Sequence, residues 1–197
     1  MLAPRKTLWS TPSSVSSLAS SLLSPLSTDT IYDVGCGDAR VLIHLAQTSP
    51  CLNLTGIEID ESRADQARDN VKKAKLNHRI TILNENALYV DYSSCSIIFL
   101  YLVPRGLRLI KPLILSVPSY LKYYPSVLLK RKKLKVVTYM SGFVGEVPVR
   151  EERVEAQKGS GWPVFYYEFY KVVGVDWLRV GGVVLFGVWL SRREKLN

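Results

Sequence analysis

An α/β fold with a Rossmann-like parallel sheet is predicted for this 197-residue chain by three observations. Thr30 to Val34 is a β-branched and apolar run that ends in Gly35-Cys36-Gly37-Asp38-Ala39-Arg40, and Val41 to Ala46 follows as an apolar helix. Leu54 to Ile59 reads as a second buried strand and carries Glu58, twenty-one residues after Gly37. Ile80 to Leu83 and the run from Ile97 continue the alternation of strands with helical stretches. Strand, glycine turn and helix start in this order build a cofactor cradle, because glycines let the backbone approach a ligand and helix N–H groups point at it. An acid at that distance reaches ribose hydroxyls.

Composition narrows the class. The chain is 47% hydrophobic and 22% charged, with 26 Lys/Arg against 17 Asp/Glu, which excludes wholesale disorder and a collagen-like repeat. Its length suits one domain plus appendages. Cys36, Cys51 and Cys95 form no C-x-x-C pair and are read as reduced thiols of an intracellular protein, cytoplasmic or mitochondrial. Mean hydropathy is +0.07, yet no uncharged run reaches the roughly 18 to 20 residues of a membrane span, so a polytopic membrane protein is excluded. The net charge of +9 is local: residues 101–150 hold ten Lys/Arg and one acid, Glu146, while the other stretches are near neutral.

Taken in order, residues 1–28 hold Arg5, Lys6, nine serines and no acid, a composition that fits a transit peptide. Thr11-Pro12 is equally an N-cap followed by a first-turn proline, with Val15, Leu18, Ala19, Leu22 and Leu23 at helical spacing behind it. A helix runs from Glu61 to about residue 75, capped by Asp60 and packing with Ala64, Ala67, Val71 and Ala74. Pro104 to Leu115 reads as a helix with Arg105, Arg108 and Lys111 at three-residue spacing. Ser116 to Lys135, with the run Lys130-Arg131-Lys132-Lys133, is expected as an exposed basic loop before a fifth strand, Leu134 to Tyr139. It is either a solvated insertion or a docking surface for an acidic protein, RNA or anionic lipid. Val147 to Gln157 and Pro163 to Val173 are expected to pair around Lys158-Gly159-Ser160-Gly161. The uncharged run Val180 to Leu190, followed by Arg192, Arg193 and Lys195, suits an interfacial or partner-bound tail and allows peripheral membrane contact. The expected organisation is an N-terminal extension (1–8), a catalytic domain (9–172) with a basic insertion at about 116–133, and an apolar and basic tail (173–197).

Dinucleotides and S-adenosylmethionine share the cradle geometry. Arg40 stands where a dinucleotide fingerprint wants Gly or Ala, and an acid inside the loop repels a pyrophosphate. Asp33 and Asp38 flank the loop and could receive an amino group and a sulfonium centre. His44 and His78 have no Cys or carboxylate at ligand spacing, so no metal is implied.

These residues resemble the class I, seven-strand S-adenosylmethionine-dependent methyltransferases. Asp33-Val34-Gly35-Cys36-Gly37-Asp38-Ala39-Arg40 is similar to their first motif, and Gly56-Ile57-Glu58-Ile59-Asp60 to the second-strand motif. Glu85-Asn86-Ala87 stands where the family often has Gly-Asp-Ala, and Ile97 to Pro104 resembles the fourth strand and the loop beneath the transferable methyl. The resemblance covers roughly residues 9 to 172 and implies a Rossmann-like seven-strand sheet ending in an antiparallel hairpin. It implies S-adenosyl-L-methionine as cofactor, held by Asp33, Gly35, Gly37 and Asp38 at its methionine part, by Glu58 at the ribose and by Asn86 at the adenine, with Cys36, Ile59 and Ala87 as neighbouring cofactor-binding positions and Cys36 needed there for its small side chain.

Ala39 and Glu85 depart from glycines common in the family, and no Asn-Pro-Pro-Tyr or Asp-Pro-Pro-Tyr follows strand four, which speaks against amino-methylation of nucleobases or glutamine. Tyr101-Leu102-Val103-Pro104 in its place, with Thr11-Pro12 upstream, resembles a subgroup that includes small protein-lysine methyltransferases, some of them mitochondrial. The resemblance therefore implies a protein substrate, with Tyr101 and Pro104 shaping its channel. An RNA methyltransferase using the basic 105–135 segment, and a catalytically silent binding protein of the same fold, are the alternatives.

Overall fold

A computed structural model describes residues 10–115, 129–155 and 161–175. The chain divides into two compact units, residues 1–115 with 133–169 and residues 116–132 with 170–197. The first carries the architecture that positions the site. The expectations for residues 1–9, for most of the basic 116–133 segment, for the 158–160 turn and for the tail beyond 175 lie outside the described residues.

Eleven elements are described: α1 (Ser13–Leu23), β1 (Thr30–Val34), α2 (Arg40–Thr48), β2 (Asn53–Glu58), α3 (Glu61–Lys73), β3 (Ile80–Asn84), β4 (Ile97–Leu100), α4 (Pro104–Ile114), β5 (Leu129–Tyr139), β6 (Arg150–Val154) and β7 (Trp162–Val175). They build the predicted seven-strand sheet, in the order β3-β2-β1-β4-β5-β7-β6. Strands β1 to β5 are parallel to their neighbours within that run, and β6 pairs antiparallel with β7, Arg150 facing Tyr166. The chain starts in the middle, builds outward through β2 and β3, then returns to the other side of β1 with β4. Successive crossovers diverge at β1 and β4, and the crevice above their carboxyl ends is where an open α/β sheet takes a ligand.

Strand β4 shows why the parallel strands read as plain apolar runs: all four of its residues are buried. Ile97 and Phe99 join the core beneath α1, α2 and α3, while Ile98 and Leu100 join the core beneath α4. Helix α1 buries Val15, Ala19 and Leu23, with Leu18 and Leu22 packed at the rim. Helix α3 buries Ala64, Ala67 and Val71, and the Asp60 carboxylate accepts the Arg63 N–H at 3.0 Å as its N-cap. Two basic side chains tie loops to the sheet. Arg79 donates to the carbonyls of Ala46 (2.6 Å), Ser49 (2.8 Å) and Cys51 at and beyond the end of α2, and Lys135 donates to the Leu23 carbonyl at 2.6 Å at the end of α1. Each cation meets the negative end of a helix.

Several boundaries differ from expectation. Pro12 rather than Thr11 occupies the N-cap of α1, and no side chain caps it; the Pro12 carbonyl accepts the N–H groups of Val15 and Ser16, both at 3.1 Å. Strand β2 ends at Glu58, so Ile59 lies just beyond it and is exposed. Strand β5 begins at Leu129, five residues before the predicted start, and the backbone of Lys130 to Lys133 is strand rather than loop. A strand's ladder is made by its backbone, so a charged run can join it once a partner strand is in place. Strand β6 is shorter than predicted and leaves Val147 and Val149 exposed outside it.

Candidate active site

The carboxyl ends of β1, β2 and β3 are bound together by backbone. Gly35 and Cys36 donate N–H bonds to the Ile57 carbonyl at 2.8 and 3.1 Å, and Glu85 N–H reaches the Glu58 carbonyl at 3.0 Å. Asn84 adds a side-chain N–H to the same Glu58 carbonyl at 3.0 Å. The glycine turn needs its glycines: Gly35 has φ +79 and Gly37 φ +55, a region costly for residues with a Cβ. Ala39, where a glycine is common in the resembled family, takes φ +64 as the N-cap of α2 and carries that strain.

Glu58 is 5% exposed and its carboxylate holds the turn from below. One oxygen accepts the Gly37 N–H at 3.0 Å and the other accepts the Asp60 N–H at 3.1 Å. Each carboxylate oxygen has a second acceptor site, so a ribose hydroxyl can be received without giving up the turn. Beneath the turn, Gly56 leaves a gap that Cys36 fills: a Cβ on Gly56 would lie 2.7 Å from the Cys36 sulfur. Burial, followed by the charges of Asp33 and Glu58, pushes the Cys36 thiol well up, so it stays neutral and serves packing.

The turn opens on a cleft whose wall includes Asp33, Gly35, Cys36, Gly37, Asp38 and Tyr101. Six of the residues predicted from sequence thus share one site. Ser10, Thr11, Arg40, Val41 and Phe99 complete the wall and are not among the predicted site residues. Thr11 reads from sequence as a helix cap and Phe99 as core, and position alone carries no signal of their second face. Asp33, at the β1 terminus, is pushed up to about 8, chiefly by burial, then by the charges of Glu58 and Asp38. Asp38 is different. Burial raises it, but the Arg40 guanidinium, bound in two places at 2.9 and 2.5 Å, outweighs burial and holds it below the usual carboxylate range. Arg40, read from sequence only as a departure from a dinucleotide fingerprint, is therefore the counter-ion of a predicted cofactor ligand.

Tyr101 lines the same cleft with its ring 4.7 Å from that of Tyr139, and burial raises its phenol. Glu58, which holds the turn from below, and Ile59, Asn86, Ala87 and Pro104 do not line the cleft. The Asn86 side-chain oxygen accepts the Leu88 N–H at 3.1 Å, which closes a turn after β3, and the Ala87 carbonyl accepts the Tyr92 hydroxyl at 2.9 Å. Pro104 opens α4 and is exposed. Among the described residues no cluster of His, Cys, Asp and Glu is placed to hold a metal ion, and no helix is long and apolar enough to cross a membrane.

The donor set fits a cationic amino-acid cofactor. Asp33 faces the cleft and makes no hydrogen bond to a described residue, so a charged amino group would meet an acceptor already in place, with Glu58 one turn away for hydroxyls.

Known proteins agree with this geometry. Residues 33–117 match the model of the ANTKMT methyltransferase domain. A protein-lysine N-methyltransferase of Saccharolobus islandicus is 31% identical over 84 residues, covering 43% of this chain and 52% of that protein. A tRNA1(Val) (adenine(37)-N6)-methyltransferase of Bacteroides thetaiotaomicron is 38% identical over 60 residues, covering 30% of this chain and 25% of that one. The chain thus spans about half, or less, of the length of these curated relatives. Among solved structures, an RNA methyltransferase of Salinibacter ruber in complex with S-adenosyl-L-homocysteine superposes with a TM-score of 0.67 at 24% identity, over 81% of this chain and 93% of that one. An S-adenosylmethionine-dependent O-methyltransferase of Thermotoga maritima gives 0.61 at 18% identity, over 85% and 68%. The chain has the class I S-adenosylmethionine-dependent methyltransferase fold, and its residues 33–117 match the ANTKMT methyltransferase domain.

Proposed function

We propose that this chain is an S-adenosylmethionine-dependent methyltransferase whose acceptor is a lysine side-chain amine of a protein. The observation that carries the reading is the segment after β4. Tyr101 enters the cleft where nucleobase amino-methylating enzymes have an Asn or Asp followed by Pro-Pro-Tyr, so this position offers an aromatic wall with one hydroxyl instead of a carboxamide or carboxylate. A nucleobase amino group needs such a polar partner to sharpen its weak nucleophile. An aliphatic amine needs only to be neutral and aligned.

When bound, S-adenosylmethionine supplies a methyl group on a cationic sulfonium, which an amine lone pair can displace in line. The chain's own residues align, desolvate and balance charge. Asp33 meets the amino group of the cofactor, Glu58 its ribose hydroxyls, and Gly35 and Gly37 let the backbone approach. Phe99 and Tyr101 exclude water from the acceptor nitrogen, whose pKa falls from about 10.4 as it enters an apolar wall, which releases the lone pair. A positioned nucleophile gains most of its rate from alignment, so no strong general base is required. The similarity to the Saccharolobus protein-lysine enzyme supports this reading.

A second reading, RNA methylation, is favoured by the similarity to the Bacteroides tRNA enzyme and by the exposed Arg105 and Arg108 on α4. Calorimetry with S-adenosylmethionine tests the cofactor first: wild type binds and Glu58→Ala binds weakly. Cell extract incubated with methyl-labelled cofactor and the protein then decides the acceptor. Label lost on protease treatment supports the lysine reading; label that resists protease and is lost to ribonuclease overturns it in favour of RNA.

A further inference from the structure

The hydroxyl of Tyr101 is committed in one direction. It donates to the thioether sulfur of Met140 at 2.9 Å, and no other described residue hydrogen-bonds to it. A thioether accepts weakly and cannot donate. The contact therefore occupies the phenolic proton and leaves the oxygen with acceptor capacity only.

Met140 is placed there by its backbone. It follows the last residue of β5, takes φ +66 in the left-handed region, and donates its N–H to the Pro163 carbonyl at 2.8 Å. An unbranched side chain other than glycine or asparagine rarely adopts this conformation, so the turn over-determines where the sulfur sits. Tyr139, just before it, is 4% exposed and packs its ring against Tyr101 at an interplanar angle of 58°, which blocks the phenol from swinging away.

We propose that Met140 is a positioning residue which, by accepting the Tyr101 hydroxyl hydrogen bond, presents the Tyr101 oxygen to the cleft as an acceptor for the N–H of the methyl-accepting amine. Tyr101 gives up no proton in this role. The same arrangement disfavours ring nitrogens and carbonyl oxygens, which would need a donor at that point. The cationic or partly positive nitrogen is further attracted by the paired Tyr101 and Tyr139 rings. The inference rests on the amine-acceptor reading above and adds how the site selects that acceptor.

The chain has two methionines, Met1 and Met140, so methyl labelling of methionine with carbon-13 gives an NMR reporter at the site without any cofactor. Tyr101→Phe is expected to move the Met140 methyl signal and leave Met1 unchanged. n-Butylamine, which carries the end of a lysine side chain, is expected to shift Met140 in the wild-type full chain. Measured by calorimetry, which needs no methionine reporter, it should bind about three- to tenfold more weakly to Tyr101→Phe and to Met140→Leu, the effect of one hydrogen bond. Leucine is a near-isosteric exchange that the fold tolerates. Met140→Gln restores an acceptor for the phenol and should recover the affinity, which a purely steric role would not do. A Met140 signal indifferent to Tyr101→Phe, or Met140→Leu binding butylamine as the wild type does, overturns the proposal. Butylamine that neither shifts Met140 in the wild type nor binds by calorimetry overturns amine selection by Tyr101, while the labelled-extract experiment judges the acceptor class by itself.

Discussion

Asp33→Asn separates two effects that one carboxyl produces. Asp33 is 3% exposed, and its carboxyl lies at about 8 instead of 3.8 because burial, then Glu58 and Asp38, oppose its charge. Between those two values the native protein holds a proton that the unfolded chain has released, so stability falls as pH rises through that window and levels off above about 8. At about 1.4 kcal/mol per pKa unit the full difference sets a ceiling near 6 kcal/mol. Water in the open cleft and relaxation of the neighbours bring the working figure to on the order of 2–3 kcal/mol. Asparagine keeps the shape and removes the titration. In urea unfolding, the variant should match the wild type near pH 4 and exceed it progressively toward pH 8.5. S-Adenosylmethionine binding should respond in the opposite sense. The cofactor's cation favours ionised Asp33, so wild-type binding releases a proton and tightens as pH rises from 5.5 to 7, whereas the variant binds at least about a hundredfold more weakly, as expected for an unpaired charge in a partly buried site. A stability advantage of equal size at pH 4.5 and pH 8.5, or calorimetric heats that do not change between buffers of different ionisation enthalpy, would refute this account of Asp33.

Three further substitutions test how the turn is held. Gly56→Ala brings a Cβ within 2.8 Å of Ile82 and Leu42 as well as onto the Cys36 sulfur, so it should cost about 1–3 kcal/mol and weaken cofactor binding; an unchanged Tm would show that β2 can shift freely. Glu58→Gln turns one of the two acceptors beneath the turn into a donor facing Gly37 or Asp60, with a loss of about 1–3 kcal/mol in urea unfolding and faster amide exchange at Gly37; full protection of that amide would contradict it. Arg79→Met removes the donor that satisfies the Ala46, Ser49 and Cys51 carbonyls, and should cost about 1–3 kcal/mol in stability while the affinity for S-adenosylmethionine, measured by calorimetry, stays within about twofold.

The sheet was legible where burial on both faces writes itself into the residue types. Ile97 to Leu100 can be nothing but a central strand, and the glycine turn after β1 announces itself because no other residue takes its φ values cheaply. The parts that were not legible depend on partners distant in sequence. Arg79 gives no local sign that it will meet three carbonyls about thirty residues upstream, and Lys130 to Lys133 look like a loop because nothing in a basic run reveals that it leads into the strand that pairs with β4 from Lys135 onward. Thr11 and Phe99 each have a structural reading that is correct as far as it goes, and only the assembled crevice shows their second face.

Charge in the cleft shows what such a partner changes. From sequence, Asp33 and Asp38 stand as two equivalent carboxylates for a cationic cofactor, with Arg40 a mere departure from another fingerprint. In the folded chain Arg40 neutralises Asp38 through a two-point ion pair at the rim, and Glu58 spends an acceptor site of each oxygen on backbone N–H groups. Asp33 is left as the carboxylate that has no counter-charge and no hydrogen bond among the described residues, and it is also the one whose ionised form burial opposes most. A cationic amino group is the partner that relieves that opposition. A neutral ligand would leave Asp33 protonated near neutral pH and gain only a hydrogen bond, and an anionic one would be repelled by whatever fraction is ionised, so discrimination in favour of a cation follows from burying one carboxyl while pairing its neighbour.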